Sequence, residues 1–203
     1  MGQYFSVDVE LTGSDAQKHS MIALGACVVG NLDKQFYREM KPLSWTYEFG
    51  AMKAATKGLN CIPKNVRDKE GYNPHMRGFR PEYILRLLMK QGSSFLTTMS
   101  EFSRWIQENS MSNNAIIVAK PVTVDVPFTR AYFEKSSLTW PFTDQEDLES
   151  AYRELIQNKN ASIKELGLLD VRQTEHNALE DALFQAEQFE KILQLRKELS
   201  LKE

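Results

Sequence analysis

Acidic side chains stand at three places in the chain where apolar periodicity does not predict them. Asp8 and Glu10 lie in the opening stretch "YFSVDVELTG", Asp125 lies in "VTVDVPF", and Asp181 lies in "EHNALEDALFQAEQF". Residues two apart in a strand point to the same face of a sheet, so Asp8 and Glu10 are expected to project together. Carboxylate clusters of this kind are the ligands that Mg²⁺ and Mn²⁺ prefer, so the spacing indicates divalent-metal chemistry.

A bound cation would also offset the energetic cost of such a cluster. Burying an unpaired carboxylate is unfavourable, and neighbouring carboxylates raise one another's pKa. Taken singly, however, Asp125 and Asp181 could be residues that cap a helix or complement its dipole. The Asp8 and Glu10 pair could likewise lie at a solvated strand end. In that alternative, the carboxylates lie far apart in space.

The elements that must position these residues follow from the apolar pattern. Strands are predicted at residues 4–10, 21–29 and 35–40, and a buried strand in "NAIIVAK" (114–120). Helices are predicted at 49–59, from about 81, at 97–110, 126–135, 148–156, 162–166 and 178–199. Three early strands, followed by helices that alternate with a buried strand, indicate an α/β or α+β domain with a mixed sheet.

The last helix has a clear predicted start and a predicted buried face. Asn177 is a plausible N-cap and Glu180 would complete a capping box, so the helix would begin at residue 178. His176 then lies outside the helix, on a loop near Asp181. The core-facing positions predicted from the helical spacing are Leu179, Leu183, Ala186, Phe189 and Leu193.

Length and composition set the remaining bounds. The chain has 203 residues, 42% of them hydrophobic and 26% charged, with a net charge of −2, which is typical of one globular domain without a basic nucleic-acid coat. Cys27 and Cys61 form no CxxC motif, so neither a disulfide framework nor a cysteine zinc site is expected. A reducing, cytoplasmic setting is expected instead. No apolar run approaches membrane-spanning length, and no glycine-rich nucleotide loop is present.

Three segments of the chain resemble motifs of the DnaQ-like, or DEDDh, 3′–5′ exonucleases. "DVELTG" followed by "HSMIALGACVV" is similar to their first motif, "VDVPFTRAYF" to their second, and "HNALEDA" to their third, His-x-Ala-x-x-Asp-Ala. "SIKELGL" also resembles the short helix that these proteins place before the third motif. The motifs occur in the expected order over nearly the whole chain.

The resemblance implies a ribonuclease-H-like α/β fold, in which helices flank a five-stranded mixed sheet, as a single domain over residues 1–203. It implies two Mg²⁺ or Mn²⁺ ions held by Asp8, Glu10, Asp125 and Asp181. Two such ions can activate the attacking water and stabilise the leaving 3′-oxygen. His176 would be the general base, a role that suits imidazole because it titrates close to neutral pH.

The resemblance further implies an activity and its partners. The expected reaction is 3′–5′ hydrolysis of single-stranded RNA or DNA from the 3′ end, which releases 5′-mononucleotides. Leu11 and Thr12 match positions that pack against the terminal nucleotide, and Phe128, which matches the second motif, is placed with them as a substrate-binding residue. A homodimer is also possible, and no membrane partner is expected.

Two departures from the family pattern leave an alternative open. Lys120 and Pro121 stand where the family usually has a polar pair, and Val124 stands where the residue before the aspartate is commonly aromatic. These changes affect how the penultimate nucleotide would be held. The alternative is a catalytically weak or silent nucleic-acid-binding module with the same fold.

Residues 60–80 form a polar segment that is longer than the family's usual connection. Basic residues alternate there with aromatic ones, a pattern that suits a single strand because cations contact phosphates and rings stack on bases. The residues of this pattern, which extends to position 83, are Lys64, Arg67, Lys69, Arg77, Arg80, Tyr72, Phe79 and Tyr83. The alternative is a solvated loop, since Asp68, Glu70 and Glu82 dilute the charge.

Overall fold

A five-stranded mixed sheet forms the centre of the protein. The computed structural model describes residues 2–110 and 114–201. The strands are β1 (Gln3–Leu11), β2 (Met21–Val28), β3 (Asn31–Glu39), β4 (Ala115–Ala119) and β5 (Phe142–Asp147), in the sheet order β3-β2-β1-β4-β5. Strands β1, β2 and β3 pair antiparallel, whereas β1, β4 and β5 pair parallel. The expected five-stranded mixed sheet is confirmed.

Helices flank this sheet on both faces. They are α1 (Phe49–Thr56), α2 (Lys64–Arg67), α3 (Pro81–Gln91), α4 (Phe95–Asn109), α5 (Val122–Lys135), α6 (Leu148–Leu155) and α7 (Ala178–Ser200), with a 3₁₀ turn at Ile163–Leu166. Among the residues described, no helix combines the length and the apolar character that crossing a bilayer would need.

The side chains of β1 alternate between the two faces of the sheet. Phe5, Val7 and Val9 join one apolar cluster with buried residues of α4 and α5. On the opposite face, α7 lies across β1 and β2 and buries Phe189 and Ile192. Because neighbouring strand residues point to opposite faces, Asp8 and Glu10 lie on the α7 face.

The polar segment 60–80 packs partly against the domain. Arg67 of α2 donates hydrogen bonds to the carbonyl oxygens of Lys57, at 2.8 Å, and Leu59. Phe79 is buried in the cluster between β2, α1 and α3, and Tyr72 lies 5.3 Å from Tyr83, centroid to centroid. Part of the predicted basic and aromatic pattern is therefore used to fold the segment.

Three elements differ from the sequence prediction, and one of them is the short helix α2, for which no helix was predicted. Strand β5 was not predicted because "FTDQED" has no apolar alternation: it is an edge strand that buries only Phe142. Helix α5 begins at Val122 rather than at residue 126, so Asp125 lies in its first turn and Pro127 inside the helix. The predicted strand ends otherwise agree with the structure to within a few residues, which is the usual uncertainty of such boundaries.

Candidate active site

The free end of β1 forms the floor of the candidate site. The pairing of β1 with β4 ends at Ser6 and Val118, while its pairing with β2 continues to Leu11. Asp8 and Glu10 therefore lie beyond the last β4 contact, at a place where one edge of β1 is left open. This arrangement explains how two carboxylates, separated only by Val9, can lie on an otherwise buried strand.

Two helix N-termini bring the other two carboxylates to this edge. Asp125 is the fourth residue of α5, which begins three residues after β4 ends, and Asp181 is the fourth residue of α7. Negative charge is favourable near a helix N-terminus. Asn177 caps α7 by accepting hydrogen bonds from the backbone N–H groups of Leu179 and Glu180, at 3.2 and 3.1 Å.

The predicted metal ligands and the predicted base meet in one cleft. Its volume is about 350 Å³, and Asp8, Glu10, Asp125, His176 and Asp181 all line it. The cleft is completed by Val9, Lys120, Pro121, Val124, Arg172, Phe184, Gln185 and Gln188. The alternative in which the carboxylates lie far apart does not describe this structure.

The donor groups fit a hard divalent cation. One ligand atom each of Glu10, His176 and Asp181 lies within 4.8 Å of the others. The Oδ2 atom of Asp125 is buried and finds no hydrogen-bond partner among the described residues. Carboxylate oxygens suit Mg²⁺ or Mn²⁺, so the acidic side chains of the cleft are consistent with a metal centre, with the imidazole of His176 beside it.

The carboxylates of the cleft hold their protons more tightly than free side chains do. Burial raises the pKa of Asp8 and of Glu10 well above their usual range, and the neighbouring carboxylates raise them further. Burial likewise raises the pKa of Asp125 to about 7. Since a nearby positive charge favours the ionised form of a carboxyl group, a cation would relieve this strain.

His176 has a conformation that is unusual for a side-chain-bearing residue. Its φ angle is +61°, in the left-handed region, just before the N-cap of α7. Gly58 packs directly on its backbone, because a Cβ at Gly58 would lie 1.8 Å from the His176 carbonyl oxygen. The Gly58 carbonyl also accepts a hydrogen bond from the Asn177 amide, at 2.7 Å. Neighbouring backbone thus fixes the loop end that carries the imidazole.

One detail of the predicted cap is wrong. Asn177 is the N-cap, as expected, but Glu180 does not complete a capping box. Its carboxylate instead accepts a hydrogen bond from the backbone N–H of Thr174, at 2.8 Å. Glu180 thereby ties the preceding loop to α7.

The predicted substrate-binding residues differ in their accessibility. Leu11 is half-buried at the end of β1. Thr12 is fully buried; its hydroxyl donates to the Thr46 carbonyl and accepts from the backbone N–H of Ser20. Phe128 lies in the core below the cleft. In this conformation, the side chains of Thr12 and Phe128 serve the scaffold, and their contact with a nucleotide stays a prediction.

The sequence did not single out three polar side chains of the cleft, Arg172, Gln185 and Gln188, and two of them contact a predicted metal ligand. Gln185 donates a hydrogen bond from Nε2 to Oδ1 of Asp8, at 2.8 Å. The guanidinium of Arg172 donates to Oδ1 of Asp181, at 2.5 Å. The spacing of Gln185, four residues after Asp181, places both on one helix face and could have revealed it. Arg172 lies in a loop, where no periodicity marks a residue.

The residues that depart from the family pattern have clear structural roles. Pro121 is the N-cap residue of α5. The Lys120 ammonium pairs with a carboxylate oxygen of Glu149 in α6, at 3.2 Å. Both line the cleft beside Asp125. The ammonium group of Lys120 and the rigid ring of Pro121 thus occupy the positions where the family usually has a polar pair.

A family model matches the chain over residues 82–193. It describes the 3′-5′ exoribonuclease Rv2179c-like domain, and the matched residues include Asp125, His176 and Asp181. Asp8 and Glu10 precede the matched residues. A curated protein of Escherichia coli, the 3′-5′ DNA exonuclease Cap18, is 26% identical over 204 residues, which cover 98% of this chain and 95% of that protein.

Solved structures of nucleases share the fold. The nuclease domain of 3′hExo, described as a DEDDh family member bound to rAMP, matches with a TM-score of 0.63 at 12% identity and covers 95% of this chain and 92% of its own. The zinc-bound complex of E. coli ExoI with single-stranded DNA matches with a TM-score of 0.63 at 12% identity, over 97% of this chain but 41% of that one. The fold is therefore ribonuclease-H-like.

Proposed function

The chain belongs to the Rv2179c-like family of 3′-5′ exoribonuclease domains, and on this premise we propose that it is a divalent-metal-dependent 3′–5′ exonuclease. It would hydrolyse single-stranded RNA or DNA from the 3′ end and release 5′-mononucleotides. One observation carries the proposal: Asp8, Glu10, Asp125, His176 and Asp181, which are spread over the whole chain, line a single cleft.

Each of these residues has a role that its chemistry supports. The carboxylates of Asp8, Glu10, Asp125 and Asp181 would hold two Mg²⁺ or Mn²⁺ ions. When bound, such ions supply Lewis acidity for the attacking water and for the leaving 3′-oxygen. His176 would accept the proton of that water as general base. Gln185 would orient Asp8 through the hydrogen bond to its Oδ1 atom.

The substrate proposed is a single strand that reaches the cleft with its 3′ end. The polar segment 60–80 supports a path for the strand, because Arg67, Asn73 and His75 line a cavity of about 350 Å³ against residues 173–175, next to His176. The relatives differ in the sugar: the family is described as exoribonucleases, whereas Cap18 is described as a DNA exonuclease. We therefore propose both RNA and DNA as substrates to be compared.

The test is the shortening of 5′-labelled RNA and DNA oligomers in Mg²⁺ or Mn²⁺. We expect a ladder of products that shorten from the 3′ end, release of 5′-mononucleotides, and no reaction in excess chelator. Asp8→Ala should abolish shortening, whereas Asp144→Asn, on the exposed edge strand β5, should leave it unchanged. Shortening that persists in Asp8→Ala would overturn the proposed metal site.

The second candidate function is a catalytically silent module that binds nucleic acid. The observation in its favour is the replacement of the family's polar pair by Lys120 and Pro121 beside Asp125. A protein that binds labelled oligomers but neither shortens them nor binds Mn²⁺ in a calorimetric titration would fit this function. The presence of all four carboxylates favours the exonuclease over the silent module, because without a bound cation their mutual repulsion would only destabilise the protein.

A further inference from the structure

The loop before α7 carries His176 and has little packing of its own. It runs over residues 167–176, between the 3₁₀ turn and the N-cap of α7. Leu169 and Val171 are 82% and 70% exposed, so the loop contributes little to the apolar core. Besides the Thr174–Glu180 hydrogen bond, its side-chain attachment to α7 is through Arg172.

The guanidinium of Arg172 is fixed along two edges and one face. Its Nε donates to Oδ1 of Asp170, at 2.8 Å, and its Nη2 donates to Oδ2 of the same carboxylate. Its Nη1 donates to Oδ1 of Asp181, at 2.5 Å. The ring of Phe184 lies 5.0 Å from the guanidinium carbon, within the range of a cation–π contact. The group is thus held in one orientation at the mouth of the cleft.

Two features distinguish this arrangement from an ordinary surface ion pair. The two hydrogen bonds with Asp170 balance the charge of Arg172 locally. The hydrogen bond to Asp181 therefore orients the Asp181 carboxylate in addition to attracting it. That contact also takes only one oxygen of Asp181, so Arg172 itself does not occupy Oδ2. A lysine could not reproduce the arrangement, because an ammonium lacks the planar fork that spans two carboxylates.

We propose that Arg172 is a positioning residue for the metal centre. Through Oδ1 it fixes the rotamer of Asp181, with Asp170 fixing Arg172 in turn, and through the same contact it fastens the loop that carries His176. Outer partners of this kind orient the groups that hold a metal, and their loss weakens metal binding. The inference rests on the proposed function in that it takes Asp181 as a metal ligand.

The test is a calorimetric titration of chelator-stripped, full-length protein with Mn²⁺, without nucleic acid. We expect Arg172→Gln to bind Mn²⁺ about 10- to 100-fold more weakly than wild type. Arg172→Lys should recover only part of this loss, and Asp170→Asn should lie between Arg172→Gln and wild type. Arg38→Gln is the matched control, because Arg38 also pairs with a carboxylate, that of Glu101 at 2.9 Å, and lies over a phenylalanine ring, yet it is on β3 outside the cleft.

A second measurement follows the loop itself. Amide hydrogen exchange over residues 168–176 should be faster in Arg172→Gln than in wild type or Arg38→Gln. Asp170 is exposed and outside the core, so Asp170→Asn keeps the test valid if Arg172→Gln does not fold. Mn²⁺ binding that is unchanged or tighter in both variants would overturn the inference, and tighter binding would mean that Arg172 competes with the cation.

The two proposals fail in different ways. A wild-type protein that binds Mn²⁺ tightly but shortens no oligomer would overturn the proposed function and leave the positioning role standing. A wild type that shortens oligomers, with variants at residues 170 and 172 that bind Mn²⁺ as it does, would overturn the positioning role alone. A wild type without Mn²⁺ binding would remove both.

Discussion

Asp125 illustrates the conflict between stability and function in a single residue. It is 4% exposed, and its Oδ2 atom finds no hydrogen-bond partner among the described residues. Burial raises its pKa from 3.8 to about 7, so the folded protein binds this proton more tightly than the unfolded chain does. The charged carboxylate is therefore unfavourable in the folded state until a cation neutralises it.

A substitution that removes this charge should stabilise the metal-free protein. In chelator at pH 8, we expect Asp125→Asn to raise the free energy of unfolding by about 1–4 kcal/mol, because each pKa unit corresponds to about 1.4 kcal/mol. The wild type should gain this stability as the pH falls from about 7 towards 4, where the unfolded chain also becomes protonated. Urea unfolding at several pH values measures both effects.

Mn²⁺ should then reverse the order of the two proteins. It should stabilise the wild type and have little effect on Asp125→Asn, since the variant lacks one ligand. An Asp125→Asn protein that is less stable than wild type in chelator at pH 8 would contradict this account of the cleft.

His176 can be tested as a base separately from any role as a ligand. One of its ring nitrogens lies within 4.8 Å of ligand atoms of Glu10 and Asp181, so geometry alone allows both roles. His176→Asn is the suitable variant, because asparagine tolerates the left-handed backbone found here. We expect turnover of a labelled oligomer to fall about 10²- to 10⁴-fold, while Mn²⁺ affinity stays within a few-fold of wild type. A loss of Mn²⁺ affinity as large as that of Asp181→Asn would instead identify His176 as a ligand.

At the scale of elements, the site depends on how closely α7 approaches β2. Gly25 pairs with Asp8 across the β1–β2 ladder. A Cβ at Gly25 would lie 2.1 Å from the carbonyl carbon of Ala178, the first residue of α7. Since the contact is with backbone, the N-terminus of α7 and its Asp181 would have to move away from Asp8.

Gly25→Ala should therefore damage both stability and metal binding. Overpacking of this kind costs about 1–3 kcal/mol or more, and the shift of Asp181 should weaken Mn²⁺ binding at the same time. Gly50→Ala is the matched control: no described atom outside its own helical turns lies within 4 Å of a Cβ there, and alanine favours a helix. Urea unfolding and Mn²⁺ titration measure the two effects. A Gly25→Ala protein that matches wild type in both would show that the close approach is not required.

The elements also show what local pattern can and cannot predict. Strongly apolar segments such as β2 and β4 were predicted to within a few residues, because burial on both sides leaves a continuous hydrophobic run. The predicted face of α7 is confirmed at Ala186 and Phe189, which are fully buried. At the other three predicted positions it is one residue out: Leu179, Leu183 and Leu193 are half-buried, whereas their neighbours Ala178, Ala182 and Ile192 are buried. Large side chains misled the prediction, since the helix lies so close to β2 that only small residues fit along part of the contact.

At the scale of the whole molecule, the carboxylates could be predicted but their supporting contacts could not. Asp8, Glu10, Asp125 and Asp181 stood out because they interrupt apolar patterns, and their order matched a family motif. The Arg172 fork, the Gln185 hydrogen bond and the Gly25 and Gly58 contacts join segments more than a hundred residues apart or lie in loops. The spacing of Gln185, four residues after Asp181, is the one periodic signal among them; the other contacts leave none, so only the folded structure reveals them.

The central claim is that four carboxylates from three parts of the chain together hold a pair of divalent cations. The most direct test is the anomalous scattering of Mn²⁺ in crystals of the protein soaked with the ion and a 5′-mononucleotide. We expect two peaks about 4 Å apart in the cleft, with oxygen atoms of Asp8, Glu10, Asp125 and Asp181 among their ligands. A crystal that binds Mn²⁺ elsewhere, with no peak between these side chains, would contradict the claim.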